Sequence, residues 1–365
     1  MPNKTLIISD LHLGVQRSGG TTRTSADELR EWGHQQHAKL LNLAVEHDCS
    51  DIIVNGDLSD VYDLPLAQAL EIYAVVDAFL TRCPTIKVYW ALGNHDLSKD
   101  SSRLGTVAFI GAILRAKHSN FALLDHPQFA SRDAYVIPHV PNQDLFDLEL
   151  SRVPEEVNWI YLHCNYDNTF ATQADHSLNL AREQAKALKA RGIKMVLGHE
   201  HQGRESLGGH VIIVGNQFPT SVADCLSHGD AQKDGKKHAL IIDHAAGTHE
   251  YVTTWDPDSD DGWYAEVDWR ELKDVVEEGR GFVRVVGDAS ASESSEAIKA
   301  IAAFRQRSKS FVITNAVKVE QVEGMEEIAD SIEDIRSVNV IELLMEMLDP
   351  QQRAKVEELM EGEQE

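Results

Sequence analysis

Lys194-Met195-Val196-Leu197-Gly198-His199-Glu200-His201 is an apolar run that stops at a glycine and opens into imidazoles and a carboxylate. A short apolar run of this kind reads as a buried strand, so the polar cluster sits where the strand ends. Four earlier segments repeat the design. Thr5 to Ser9 runs into Asp10-Leu11-His12, and Asp51 to Asn55 into Gly56-Asp57. Ile86 to Leu92 runs into Gly93-Asn94-His95-Asp96, and Asn158 to Leu162 into His163. Five strand ends are therefore expected to converge on one rim.

Between these runs lie stretches with helical patterning, Ser25 to His47, Leu66 to Arg82, Arg103 to Ala116 and Ser177 to Arg191. Alternation of strand and helix predicts an α/β layered domain. Ser25 is placed to cap the first helix, ahead of Asp27 and Glu28, and Pro65 lies near the start of the second. Strands at His210 to Val214, His238 to Asp243 and His249 to Thr253 are expected to complete the sheets. At 365 residues the chain has room for two domains. The charged, turn-rich segment Asp256 to Gly262 reads as the linker. A smaller α/β unit follows, with strands at Gly281 to Val286 and Ser310 to Thr314 around a helix at Ser295 to Arg307. The chain ends in an apolar helix over Val340 to Leu348 and a last helix opened by Asp349 as N-cap and Pro350 at its first position. The apolar end segment is expected to dock on a partner, because little chain remains to cover it, the alternative being that it closes the core of the smaller unit.

The formal charge is -25, and residues 256–365 hold 28 Asp or Glu against 12 Lys or Arg. Such a field repels phosphate backbones and argues against a simple DNA-binding module. No apolar stretch approaches the roughly 20 residues of a membrane span, and Met1-Pro2-Asn3-Lys4 passes straight into a strand. The expectation is a soluble, unexported, cytoplasmic protein. Cys49, Cys83, Cys164 and Cys225 form no CxxC pair and suggest neither a disulfide framework nor a zinc knuckle.

Asp10, His12, Asp57, Asn94, His163, His199 and His201 are oxygen and imidazole donors without a thiolate, a set that suits manganese, magnesium or iron better than structural zinc. Two ions about 3.5 to 4 Å apart can clamp the entering and leaving oxygens of a hydrolysis at phosphorus, with one carboxylate bridging them. Asp10 and His12, like His199 and His201, are two residues apart and so project to one side of an extended strand end. Gly56, Gly93 and Gly198 each precede a proposed ligand, where the missing Cβ permits a sharp turn or a close approach. His95 is left without a metal. It is read as the group that protonates the departing oxygen, with Asp96 orienting it. His34, His37, His47, His118, His126, His139 and His176 read as surface or structural histidines, Cys164 and Cys225 as buried packing, and Lys233 to Lys237 as a solvated loop.

Asp10-Leu11-His12-Leu13-Gly14, Gly56-Asp57-Leu58-Ser59-Asp60 and Gly93-Asn94-His95-Asp96 together resemble the SbcD branch of the calcineurin-like metallophosphoesterase superfamily, nuclease subunits related to the eukaryotic repair nuclease Mre-eleven. The resemblance implies a four-layer α/β/β/α sandwich over 1–255, a linker at 256–262, a smaller α/β capping domain over 263–330, and C-terminal helices over 331–365 that dock on an SbcC-like SMC-family ATPase. It implies two Mn2+ ions, with Mg2+ or Fe2+ as substitutes. Asp10, His12, Asp57 and His201 would hold one, and Asp57, Asn94, His163 and His199 the other. The implied activity is exonucleolytic and endonucleolytic cleavage of DNA phosphodiesters in break processing, recombination or replication, by a homodimer, with His95 assisting at the leaving group. Ser59 stands where the family commonly has a bulky aromatic residue, and Gly215-Asn216-Gln217-Phe218-Pro219 matches the usual Gly-Ser loop only loosely. Two other readings stay open: a phosphoesterase for a small molecule or a phosphoprotein, and an assembly subunit with vestigial chemistry.

Overall fold

The computed structural model describes residues 4–15, 23–98, 103–131, 133–168, 177–226, 235–259, 261–277 and 279–320. The chain divides into two compact units, Met1–Val286 with Ala300–Ala316, and Gly287–Lys299 with Val317–Glu365. His176 and the terminal helices expected over 331–365 lie outside the described residues.

In chain order the elements are β1 Lys4–Ile8, α1 Arg23–Glu46, β2 Asp51–Asn55, α2 Leu66–Arg82, β3 Lys87–Ala91, α3 Thr106–Lys117, β4 Phe121–Leu124, β5 Gln128–Phe129, β6 Ala134–Ile137 and α4 Gln143–Ser151. There follow β7 Trp159–His163, β8 Asn165–Tyr166, β9 Asn179–Leu180, α5 Arg182–Ala190, β10 Lys194–Gly198, β11 Arg204–Ser206, β12 Val211–Ile213, α6 Val222–Cys225, β13 Lys237–Asp243 and β14 Thr248–Trp255. The last are β15 Trp263–Asp268, β16 Gly281–Val286, β17 Asp288–Ala289, α7 Ser294–Arg307, β18 Val312–Asn315 and β19 Lys318–Val319.

Two six-stranded sheets, ordered β14-β13-β1-β2-β3-β4 and β11-β12-β10-β7-β6-β5, face one another. Their central strands are apolar throughout because both faces are buried. Leu6, Ile8, Ile52 and Val54 point outward into a core shared with Leu41 of α1, Val76 of α2 and Leu114 of α3. Their neighbours Ile7 and Ile53 point the other way and meet Val136, Tyr161 and Val196 of the second sheet. The outer face of the second sheet, with Ile160, Leu162 and Leu197, packs on Phe146 of α4 and Ala185 of α5. This is the four-layer α/β/β/α sandwich. Each fully buried Leu or Ile contributes about 1.5 to 3 kcal/mol, so the three apolar layers dominate its stability.

β1, β2 and β3 run parallel in the first sheet, as do β7 and β10 in the second, so the five polar clusters all emerge at C-terminal strand ends. Asn55 ties the sheets together at that rim: its Nδ2 donates to the Leu162 carbonyl at 2.9 Å.

Several helix limits differ from expectation. Ser25 lies inside α1, which starts at Arg23. The helix expected from Ser177 starts at Arg182, because Asn179 and Leu180 pair with β8 instead, and Gln184 reaches back to accept from the Ala181 amide at 2.9 Å. β4 and β6, four residues each, and α4, capped by Asn142 accepting from the Leu145 amide at 3.0 Å, add to the elements expected from sequence. β15, β16 and β18 form a three-stranded parallel sheet in the larger unit. Trp32 of α1 packs against Phe282 and Phe311 there, with ring centroids 6.0 and 5.4 Å away. In the smaller unit β17 pairs with β19.

Candidate metal centre

The loops after β1 and β2 lie against each other: the Asp10 and His12 amides donate to the carbonyls of Gly56 and Asp57 at 3.1 and 3.0 Å. This brings the first two clusters into contact. Asp10, His12, Asp57 and His199 all adopt positive φ, between 44 and 87°. Non-glycine residues rarely do so, and the strain is characteristic of functional sites. Gly56 shares that conformation, at φ 91°. Gly93 and Gly198 do not, and their reason is close approach. A Cβ on Gly93 would strike Asp57, and one on Gly198 would strike Ser9 Oγ and the Asn55 carbonyl.

All seven expected ligands converge. Asp10, His12 and His201 place donor atoms within 4.8 Å of one another, and so do Asp57, His163 and His199. Asn94 Oδ1 lies 3.0 Å from His163 Nε2 and 2.9 Å from His199 Nδ1. His12 Nε2 and His201 Nε2 are 3.0 Å apart. Asp57 Oδ2 stands between the groups, 3.2 Å from His163 Nε2 and 3.9 Å from His12 Nε2.

The far side of the imidazoles shows that the donor set fits an ion. His163 Nδ1 donates to the Asn55 carbonyl at 2.9 Å, and His201 Nδ1 faces Asp224 Oδ1 at 2.7 Å. A ligating histidine typically anchors its second nitrogen this way, leaving the first with its lone pair directed at the metal. Asp10 accepts from the His199 amide, 3.0 Å from both of its oxygens, and from Ser9 Oγ at 2.6 Å. Burial works against charge at His163, yet the adjoining Asp57 carboxylate wins and lifts the imidazole to about 10. Burial likewise raises Asp57, but His163 and His12 hold it well below the carboxylate range. Burial pushes His12 down to about 4 even against the pull of Asp57. A site that favours positive charge beside Asp57 is suited to a divalent ion, whose uptake displaces protons from such donors. When bound, a pair of ions would polarise a phosphoryl oxygen and stabilise charge on the entering and leaving oxygens.

His95 sits beside the donors, its ring edge-on to His12 with centroids 4.8 Å apart. Its amide donates to Asp57 Oδ1 at 2.9 Å, and its Nδ1 faces the Asp60 carbonyl at 2.6 Å. A carbonyl can only accept, so Nδ1 carries the proton and Nε2 is the atom left to exchange one with substrate. The expectation that Asp96 orients His95 is corrected here. The Asp96 carboxylate turns away to accept from the amides of Gly93 at 3.0 Å and Ser59 at 2.9 Å and from Ser59 Oγ at 2.9 Å. Burial and the nearby Asp57 raise it to about 6 against those bonds. Asp96 therefore shapes the loops that carry Asp57 and Asn94, and Ser59 is its partner.

Glu200, between the two histidines of its cluster, also turns away, accepting from the Tyr166 amide at 2.7 Å and pairing with Arg204. Asp60, Asp224 and Lys237 are parts of this region that the sequence reading misses. Asp60 groups with His12 and His95. Lys237 corrects the reading of a solvated loop: it is buried, and its Nζ donates to the His201 carbonyl at 3.1 Å. Ser221-Val222-Ala223-Asp224 carries the helix-start signature of a serine three residues before an acid, a signal that marks a cap and says nothing of His201. His139, read as structural, lies on the margin of the site with its ring centroid 6.5 Å from that of His163.

The calcineurin-like phosphoesterase family matches residues 4–203 of the chain. No curated protein sequence matches it. Among solved structures, TT1561 of Thermus thermophilus is 12% identical, with 70% of this chain and 100% of that one covered and a TM-score of 0.41. An archaeal phosphodiesterase is 11% identical over 68% of this chain and 99% of that one, TM-score 0.32. The Pseudomonas putida nuclease MPE is 16% identical over 68% and 87%, TM-score 0.28. With the family model matching more than half of this chain, the chain belongs to the calcineurin-like phosphoesterases.

Proposed function

We propose that this metal-dependent phosphoesterase is a DNA nuclease subunit, cleaving phosphodiester bonds exonucleolytically and endonucleolytically with two Mn2+ ions. The observation that carries the reading is the pair of donor groups on either side of Asp57, with His95 next to them and its Nδ1 on the Asp60 carbonyl. Asp10, His12, Asp57 and His201 would hold one ion, and Asp57, Asn94, His163 and His199 the other. His95 acts as the imidazolium: it gives its Nε2 proton to the departing sugar oxygen and is left neutral, with the Nδ1 proton still on the Asp60 carbonyl that keeps its ring aimed. The choice of DNA rests on the Asp10–Gly14, Gly56–Asp60 and Gly93–Asp96 motifs and their similarity to the SbcD branch.

The proposed assembly is a homodimer acting with an SbcC-like ATPase in break processing, recombination or replication. Exposed Leu66 and Leu70 of α2 and Phe109 and Ile113 of α3 support self-association, being spaced by four residues along each helix. A chain of net charge -25 gains from a partner that supplies basic surface for DNA. Among the described residues no helix is long and apolar enough to cross a membrane.

The test is cleavage of labelled single- and double-stranded DNA by purified protein with Mn2+, alone and with the ATPase. Degradation that stops on chelation supports the proposal. Intact DNA in both settings, beside rapid turnover of a phosphomonoester or cyclic nucleotide, would favour the second reading, a small-molecule or phosphoprotein phosphoesterase. The acidity of the chain is the observation on that side.

A further inference from the structure

The two described groups of donors are anchored differently. His163 leans on a backbone carbonyl, whereas His201 leans on a carboxylate that the donor set itself does not include. Asp224 is buried, and its two oxygens divide the work. Oδ1 faces His201 Nδ1 at 2.7 Å. Oδ2 receives the Thr220 and Ser221 amides at 2.9 Å each and the Thr220 and Ser221 hydroxyls at 3.0 Å each. Four donors on one oxygen far exceed what the start of a four-residue helix requires, and they hold the carboxylate ionised and immobile. The backbone of His201 is gripped as well. Its carbonyl accepts from Lys237 Nζ at 3.1 Å and from the Asn216 amide at 3.3 Å. Lys237 is buried like Asp224, and its ammonium is among the charges that favour the Asp224 carboxylate.

We propose that Asp224 is a positioning residue for the metal centre: it fixes His201 as the tautomer protonated on Nδ1 and aims Nε2 at the ion shared with Asp10 and His12, while Lys237 clamps the His201 main chain. Asp224 touches no reacting atom. It acts by raising the basicity of Nε2 and removing the freedom of the ring to turn. The consequence is an unequal pair of sites, the Asp10–His12–His201 ion depending on Asp224 and the Asp57–His163–His199 ion not. The inference rests on the two-metal reading above and is tested separately from it.

Asp224→Asn keeps the shape but presents to His201 either an amide N–H, which opposes the Nδ1 proton, or a carbonyl at the expense of the bonds to Thr220 and Ser221. Mn2+ is titrated into metal-free full-length protein by calorimetry, and the electron paramagnetic resonance spectrum is taken at two equivalents. Wild type is expected to bind two ions and show a spin-coupled pair. Asp224→Asn is expected to bind one ion about 10- to 100-fold more weakly, with the other unchanged and the spectrum that of isolated Mn2+. Ser221→Ala, which removes one of the four donors to Asp224 Oδ2, is expected to weaken the same ion by less than Asp224→Asn does and to leave the other unchanged, and equal weakening of both ions would overturn the proposal. Should Asp224→Asn not fold, the long-range proton–nitrogen spectrum of wild-type protein, with His201 assigned by His201→Gln, gives the tautomer directly. The Nδ1-protonated form supports the proposal, and the Nε2-protonated form overturns it. Unchanged affinity and coupling in a folded Asp224→Asn would also overturn it while leaving the two-metal reading in place. Failure of wild type to bind two ions would overturn both.

Discussion

At the scale of single residues, the site divides into groups that hold charge and one that moves a proton. His95 contacts the donor set only through its ring edge and its amide, so removing the imidazole should leave the ions in place. His95→Ala is expected to lose about 10²- to 10⁴-fold in kcat while retaining full metal content, checked by steady-state kinetics beside elemental analysis. The glycines behave differently. Gly198→Ala places a methyl against Ser9 Oγ, the Asn55 carbonyl and His163 Nδ1 at once. It is expected to lower stability by about 1 to 3 kcal/mol in urea unfolding and to weaken metal uptake with it. The donors themselves are legible in sequence, because a carboxylate or imidazole after an apolar run has a predictable place in an α/β fold. Asp96 is not, because adjacency in sequence is not adjacency in space at a tight turn. There the side chains of His95 and Asp96 diverge, one to the Asp60 carbonyl and one to Ser59. Asp224 and Lys237 are beyond reach, since their partner His201 lies 23 and 36 positions away.

At the scale of elements, helices are recognisable where one face is apolar over several turns. α2 has the expected limits, its inner stripe being Ala69, Ile72, Val76, Phe79 and Leu80. The short strands β4 and β6 have too few residues to show a period, and their identity comes from pairing with β3 and β7. The outer faces of α2 and α3 carry the prediction that belongs here. Phe109 is exposed in α3, with Ile113 one turn on. An isologous dimer through these helices would bury each stripe against its symmetry mate. Phe109→Glu is expected to halve the molar mass found by light scattering, with the far-ultraviolet dichroism unchanged. A mass unaffected by the substitution would remove these helices from the interface.

At the scale of the whole molecule, the layered fold follows from the alternation of elements, whereas the packing of Trp32 on Phe282 and Phe311 does not. Contacts between segments so far apart in the chain leave no periodic trace in a sequence. One buried histidine away from the metal centre adds to the fold's sensitivity to acid. His37 of α1 is fully buried, and neither ring nitrogen has a hydrogen-bond partner. Burial, with a smaller contribution from His34, pushes it down to about 3 from 6.5. The unfolded chain therefore binds a proton at higher pH than the folded one. Stability from this group is complete above about pH 6.5 and falls as the pH drops toward 3, by about 3 kcal/mol at pH 4. His37→Leu is expected to flatten the loss of stability between pH 7 and 4 in denaturant titrations and to change little at pH 8. Equal acid sensitivity in the variant would place the effect elsewhere.

The left-handed backbone at Asp10, His12, Asp57 and His199 carries a last consequence. Each such residue costs on the order of 1 kcal/mol that the three apolar layers must offset. Thermal ruggedness and chemistry therefore pull in opposite directions at the same four positions. A library screened for heat resistance alone would enrich glycine or asparagine at 10, 12, 57 and 199, and its hardiest members would be the ones least able to carry their ions.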